Sequence, residues 1–239
     1  MIKIKILFFV LVYYSCFFTS VTINSQSINR FDENNKRTGV WKKYYVNKRI
    51  RYVGQFENGK EIGVFKFYHI TSSDHPITIK KFLKNSDSVF VQFFTTTGRI
   101  ESEGFLKVRE RVGSWKYFYP NGTLMSEENY EKGKLDGEQF IYYPDGKVTE
   151  SANYKNGFKE GVNSKYSNKG VLIEEITYKY GIPNGLAKYF ELNGDLKETG
   201  RYNNGKREGT WQYYMDGEIA TEDELKKNKK TTYTKKKNN

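Results

Sequence analysis

Cysteine is almost missing from this chain, with Cys16 the only one in 239 residues, so no disulfide can form within it and no thiolate cluster can hold a metal. Histidine is nearly as scarce. His69 and His75 lie six residues apart, and no carboxylate or cysteine pattern around them completes four ligands. Proline occurs four times, and hydrophobic residues make up 37% of the chain, too few for a thick aliphatic core. Aromatic residues, in contrast, reach 17%. That combination suits a thin sheet stabilised by rings, since one large ring can bury roughly 150 to 250 Å².

Chemistry is equally hard to find. Glu127-Glu128 and Glu174-Glu175 are neighbouring carboxylates, but adjacent residues on a strand point to opposite faces and cannot flank one glycosidic bond. Serines lack a partnering histidine, and the glycines fall at turn spacing instead of forming a phosphate cradle before a helix. The sequence therefore predicts a protein that is not an enzyme, with no catalytic residues, cofactor or metal.

What the chain does contain is a period. Glycines at 39, 63, 113, 137, 161, 185 and 209 stand 24 residues apart, except across the interval of 50 between Gly63 and Gly113. Val89 fills that gap as an opening residue without its glycine, leaving two inserted residues near 71–88 and giving eight copies from Gly39 to about Gly217. Numbering each copy from its opening residue, position +5 is always aromatic: Tyr44, Tyr68, Phe94, Phe118, Tyr142, Tyr166, Phe190 and Tyr214. Position +2 varies from Trp41, Phe65, Trp115 and Trp211 to Val91, Gln139, Asn163 and Ala187, which reads as optional bulk. A turn glycine recurs at +9, an aliphatic at +11 and a second aromatic or apolar residue at +17.

Each copy reads as a hairpin. Trp115 to Tyr119 favours a strand, Pro120-Asn121-Gly122 a tight turn, and Thr123 to Tyr130 a return strand. A lone hairpin is marginal in water, so copies must stack on one another. The predicted fold is all-β, an elongated antiparallel meander of about eight β-hairpin repeats of 24 residues. The +5 aromatics are expected as its structural ladder. The candidate binding surface is the opposite face, carrying Trp41, Trp115, Tyr117, Tyr189, Trp211 and Tyr213.

The flanks differ from the array. In residues 1–25, Lys3 and Lys5 precede an apolar run too short for a spanning helix, the pattern of a secretory signal, with cleavage expected between Ser25 and Gln26. An uncleaved anchor and a lipid-modified Cys16 are the alternatives. Residues 26–38 read as a linker or N-terminal cap, 39–217 as the array and 218–239 as a basic tail without apolar period. Of the net charge of +12, residues 221–239 supply 4, from seven lysines and three acids.

The succession of glycine, aromatic pair, Asn-Gly turn and aromatic in YKNGFKEG (154–161) and YNNGKREGTWQYY (202–214) resembles the MORN-repeat variant family, whose bacterial members often carry the label YwqK-family antitoxin. The resemblance covers nearly all of 39–217 and implies a hairpin-repeat sheet that contacts protein, with proposed lipid association in eukaryotic arrays and no catalytic residues. The 26-residue spacing after Gly63, the missing glycine at Val89 and the signal pattern depart from it. The resulting expectation is a secreted or envelope protein, periplasmic or on the outer surface, that binds a protein partner in the bacterial cell envelope. A carbohydrate- or choline-type wall module, an anionic lipid or glycan binder and a toxin-neutralising protein are the alternatives; export argues against nucleic acid.

Overall fold

Alternating aromatic strands and glycine turns should give a meander, and the computed structural model is one. It describes residues 27–224 and 226; the signal pattern and most of the basic tail lie outside them. Eighteen strands, from β1 (Arg30–Phe31) to β18 (Glu218–Ile219), form one open antiparallel sheet. Consecutive strands pair, with one interruption at Glu160.

The hairpin opening at Gly113 shows how sequence dictates each unit. Strand β8 (Glu110–Phe118) pairs with β9 (Leu124–Glu131) in the register Gly113↔Tyr130, Trp115↔Glu128 and Tyr117↔Ser126. Between them Gly122 N–H donates to Tyr119 O at 2.8 Å, with Pro120 at the turn's second position and Gly122 at φ 86°. That is a type I turn closed by a left-handed residue. The next connection is tighter: Lys132 and Gly133, both at positive φ, join Glu131 to Lys134 as a two-residue turn.

The opening glycines sit at the seams between copies. At Gly137 the register of β10 (Lys134–Tyr142) against β9 shifts, while Gly137 pairs regularly with Tyr154 on its other side. Its φ of 107° fits a glycine-bearing bulge. Val89 is informative by contrast. Strands β5 (Ser72–Phe82) and β6 (Ser88–Phe94) pair without a shift from Thr78↔Phe93 to Phe82↔Val89, so where the glycine is missing the bulge is missing too. The two extra residues lie in the hairpin of β4 (Lys60–His69) and β5: Gly63 pairs with Phe82, whereas Gly39 pairs with Phe56.

Burial corrects one expectation. Position +2 is the core, not an optional place: Phe65, Val91, Trp115 and Ala187 are at most 1% exposed, and Gln139 and Asn163 are buried. The +5 aromatics Tyr68, Phe94, Phe118, Tyr142, Tyr166, Phe190 and Tyr214 are half-buried, and Tyr44 is exposed. Among the described residues, none of the ring–ring contacts uses a +5 ring, so they form no stacked ladder; Trp115 instead meets Phe93, Tyr117 and Tyr130 at 6.3 to 6.4 Å.

The reason lies in the preceding copy. Gly54, Gly104 and Gly200, at +15, lie beneath Phe65, Trp115 and Trp211, and a Cβ on any of them would collide with the ring. The +15 place and the next +2 place thus share one volume. Gly54 is followed by Phe65, Gly104 by Trp115, Ile176 by Ala187 and Gly200 by Trp211. Where the site is polar it is hydrogen-bonded: Gln139 Nε2 donates to Glu128 Oε1 at 3.2 Å, and Asn163 Nδ2 to Glu150 Oε1 at 3.0 Å.

Candidate interaction surfaces

Lateral pairing assigns each residue to a face. Positions +2 and +4 share the buried-spine face, and +1, +3 and +5 share the other. The six residues of the expected binding surface are therefore on one face, but the structure does not expose them as a ladder. Trp115 is 1% exposed and cannot meet a partner, which corrects its expected role. Trp41 and Trp211 are half-buried, as are Tyr117, Tyr189 and Tyr213.

Each tryptophan is also covered by an arginine four residues earlier. Arg37, Arg111 and Arg207 stand over Trp41, Trp115 and Trp211 at 5.0, 4.9 and 3.9 Å. No other copy has arginine at that position. The tyrosine hydroxyls are engaged as well: Tyr117 with Tyr130 at 3.5 Å, Tyr189 with Tyr202 at 3.2 Å, and Tyr213 as acceptor from Arg207 Nη1 at 3.1 Å. Tyr130 donates to Glu128 Oε2 at 2.6 Å. Burial, then this bond to a carboxylate, raises the Tyr130 hydroxyl well above the ordinary tyrosine range, so it stays protonated as a donor. These contacts make the face a structural network, in which the buried Trp211 Nε1 lacks a hydrogen-bond partner.

Farther along the same face, position +13 carries carboxylates. Glu150, Glu174 and Glu198 meet Lys159 at 2.5 Å, Lys165 at 2.7 Å and Arg207 at 2.8 Å.

The opposite face is more available. One row across it, read through lateral pairs, runs Lys42, Val53, Lys66, Ile79, Gln92, Glu103, Lys116, Glu127. Toward its end charges are matched: Gln92 donates to Glu103 at 2.9 Å and Lys116 meets Glu127 at 3.2 Å. At its start Val53 and Ile79 stand where those carboxylates would, and among the described residues Lys42 and Lys66 have no ion-pair partner. Val64, 45% exposed, lies beside Lys66 on the adjacent row with Val40 and Lys81. Val40, Val53, Gly54, Gln55, Gly63 and Val64 line an open hollow of about 370 Å³.

Charge follows the same division. Residues 37–107 hold 13 basic and 6 acidic side chains, a surplus of 7, while 108–220 hold 16 and 17, a deficit of 1. The signal for this surface was legible in the chain as valine and isoleucine at positions where later copies have glutamate.

His69 hydrogen-bonds Thr71 Oγ1 at 2.7 Å, and the His75 ring packs by the Gly98 turn. Among the described residues, no group of three or more potential ligands is placed to hold a metal ion.

Four copies match the family model described as MORN repeat variant, at residues 111–132, 135–156, 159–180 and 183–204. These four resemble MORN repeats. Each match begins just after one two-residue tip and ends at the next, so the MORN-like unit is the hairpin between tips. The copies opening at Gly39, Gly63, Val89 and Gly209 lie outside the matches. Among curated proteins none matches the chain. Among solved structures, a mutant of S. aureus TarM in complex with Fondaparinux, alpha-GlcNAc-glycerol and UDP is similar at 16% identity and a TM-score of 0.28, over 40% of this chain and 19% of that one. A likeness of that size says nothing of function.

Proposed function

We propose that this MORN-like array is an exported, non-catalytic scaffold that binds an acidic protein partner in the bacterial cell envelope. The binding surface is the face of the first two copies that carries Lys42, Lys66 and Lys81 beside Val40, Val53 and Val64. The carrying observation is that, among the described residues, no matching carboxylates stand there: half-buried Val40 and Val53 and exposed Val64, among lysines without an ion-pair partner, complement a partner that brings its own acids. MORN repeats are consistent with partner binding. Location in the envelope rests on the signal pattern of 1–25, and native protein is expected to begin near Gln26 by intact mass.

The test is capture from an envelope fraction by Lys42→Glu/Lys66→Glu beside Lys116→Glu, whose lysine already has a carboxylate. The first is expected to lose its partner and the second to keep it. Equal capture by both would refute the assignment, and retention on anionic vesicles instead of by protein would replace it with a lipid surface.

A further inference from the structure

The hollow on the lysine-bearing face lies at the seam between the first and second copies, where Val40, Val53, Gly54, Gln55, Gly63 and Val64 line about 370 Å³. Strands β2 (Arg37–Tyr44) and β3 (Ile50–Glu57) set Val40 opposite Gln55, and Gln55 stands opposite Ile62 on its other side. The two glycines leave the floor bare. Gln55 is exposed, and its Oε1 lies 3.5 Å from where a Cβ on Gly63 would stand.

The seam between the third and fourth copies shows what such a place can hold. Its equivalent residues are Phe90, Glu103, Gly104, Phe105, Gly113 and Ser114. Phe90 faces Phe105 as Val40 faces Gln55, and Phe105 faces Val112 as Gln55 faces Ile62. The Phe90 and Phe105 rings meet edge-on at 5.2 Å, both half-buried. Here the array seats an aromatic ring of its own beside the two glycines. At the first seam valine and glutamine replace both rings, and the place stays open.

Charge says what a visiting ring would bring with it. Lys42 pairs laterally with Val53, Val53 with Lys66, and Val64 with Lys81, so cations border the hollow on two sides. Lys81 Nζ also stands over the Phe90 ring at 5.4 Å. A lysine beside a ring is already in use on this face.

We infer that the hollow receives an aromatic side chain of the acidic partner, carried on an extended segment with carboxylates two residues or fewer from the ring. The inference rests on the acidic-partner reading above and adds the anchor to it. The ring takes the place beside Gly54 and Gly63 that Phe105 takes beside Gly104 and Gly113. Residues two apart in an extended chain are about 6.8 Å apart, which is also the step from Val64 to Lys66 along β4, so the flanking carboxylates fall at the lysines. Burial of the ring supplies the hold, and the charges set its register.

Gln55→Phe makes the test specific, because it supplies the ring from within, as the third copy does, and leaves every lysine in place. The probes are a dye-labelled peptide, Gly-Asp-Glu-Phe-Glu-Asp-Gly, and its counterpart with alanine for phenylalanine, titrated at low salt by fluorescence anisotropy. Wild-type protein is expected to bind the phenylalanine peptide about tenfold more tightly than the alanine peptide. Gln55→Phe, with an unchanged circular dichroism spectrum, is expected to bind both at the alanine level, and Lys42→Glu/Lys66→Glu to lose both. No binding of the phenylalanine peptide by wild type, equal binding of the two peptides, or undiminished binding of the phenylalanine peptide by Gln55→Phe would each overturn the anchor and leave the acidic partner standing. Undiminished binding by Lys42→Glu/Lys66→Glu would overturn the acidic-partner reading itself.

Discussion

The copies opening at Gly113 and Gly137 fill the same buried place in opposite ways. In the first, the Trp115 indole lies on Gly104 under the Arg111 guanidinium. In the second, Gln139 reaches Glu128, which also accepts from Ser126 and Tyr130. One solution is apolar area capped by a cation; the other is a closed set of hydrogen bonds. The repeat therefore conserves a shared volume and its satisfaction instead of a residue type. Each +2 side chain answers to the copy before it.

The largest test of this comparison is Trp115→Ala. Removing a buried indole from above Gly104 should cost about 3 to 5 kcal/mol in thermal or denaturant unfolding, and Phe118→Ala, from a half-buried site, should cost less. A larger loss for Phe118→Ala would mean the +5 row carries the fold after all. Next is an exchange of solutions. Gln139→Trp should destabilise because the ring would meet Glu128, and Glu128→Gly in the same chain should recover part of the loss, with a coupling of roughly 0.5 to 3 kcal/mol. Additive losses would show that the two places do not share one volume.

A smaller effect belongs to the turns, where both copies behave alike. Tyr119 Oη donates to Tyr142 O at 2.7 Å and Tyr143 Oη to Tyr166 O at 3.1 Å, each tying one hairpin's turn to the next. Tyr119→Phe and Tyr143→Phe should each cost about 1 kcal/mol, irrespective of how the neighbouring spine is filled. The smallest effect is confined to acid. Asp136 accepts from Asn156 N–H and from Lys155 Nζ, both at 3.1 Å, and these bonds hold its carboxyl below the ordinary carboxylate range. Its stabilisation is therefore complete above the unfolded value of about 3.9 and disappears as pH falls through the lower folded value. Melting of Asp136→Asn should change less than wild type across that acid window and in parallel with it at neutral pH.

The hairpin period, turn glycines and strand order were legible because they recur at a fixed spacing. The roles of +2 and +5 were not, because constancy was read as structural importance. Position +5 is always aromatic yet half-buried, whereas +2 varies because its partner varies with it. The pairs Gly54 with Phe65, Gly104 with Trp115 and Gly200 with Trp211 stand eleven residues apart across a seam, so a search within single copies could not see them. The arginine before each tryptophan was likewise visible, since Arg37, Arg111 and Arg207 keep one spacing.

Because every buried place spans a seam, the array has a grammar for gaining and losing copies. Deleting the four copies from Gly113 through Glu208 would bring Gly104 under Trp211, restoring a junction the chain already uses. Deleting only the three from Gly137 through Glu208 would bring Glu128 there instead, and the indole would have no floor. Recombination between copies can shorten such a protein only where the last letter of one unit agrees with the first of the next. The irregular run of rings, amides and glycines is then a record of which junctions were permitted.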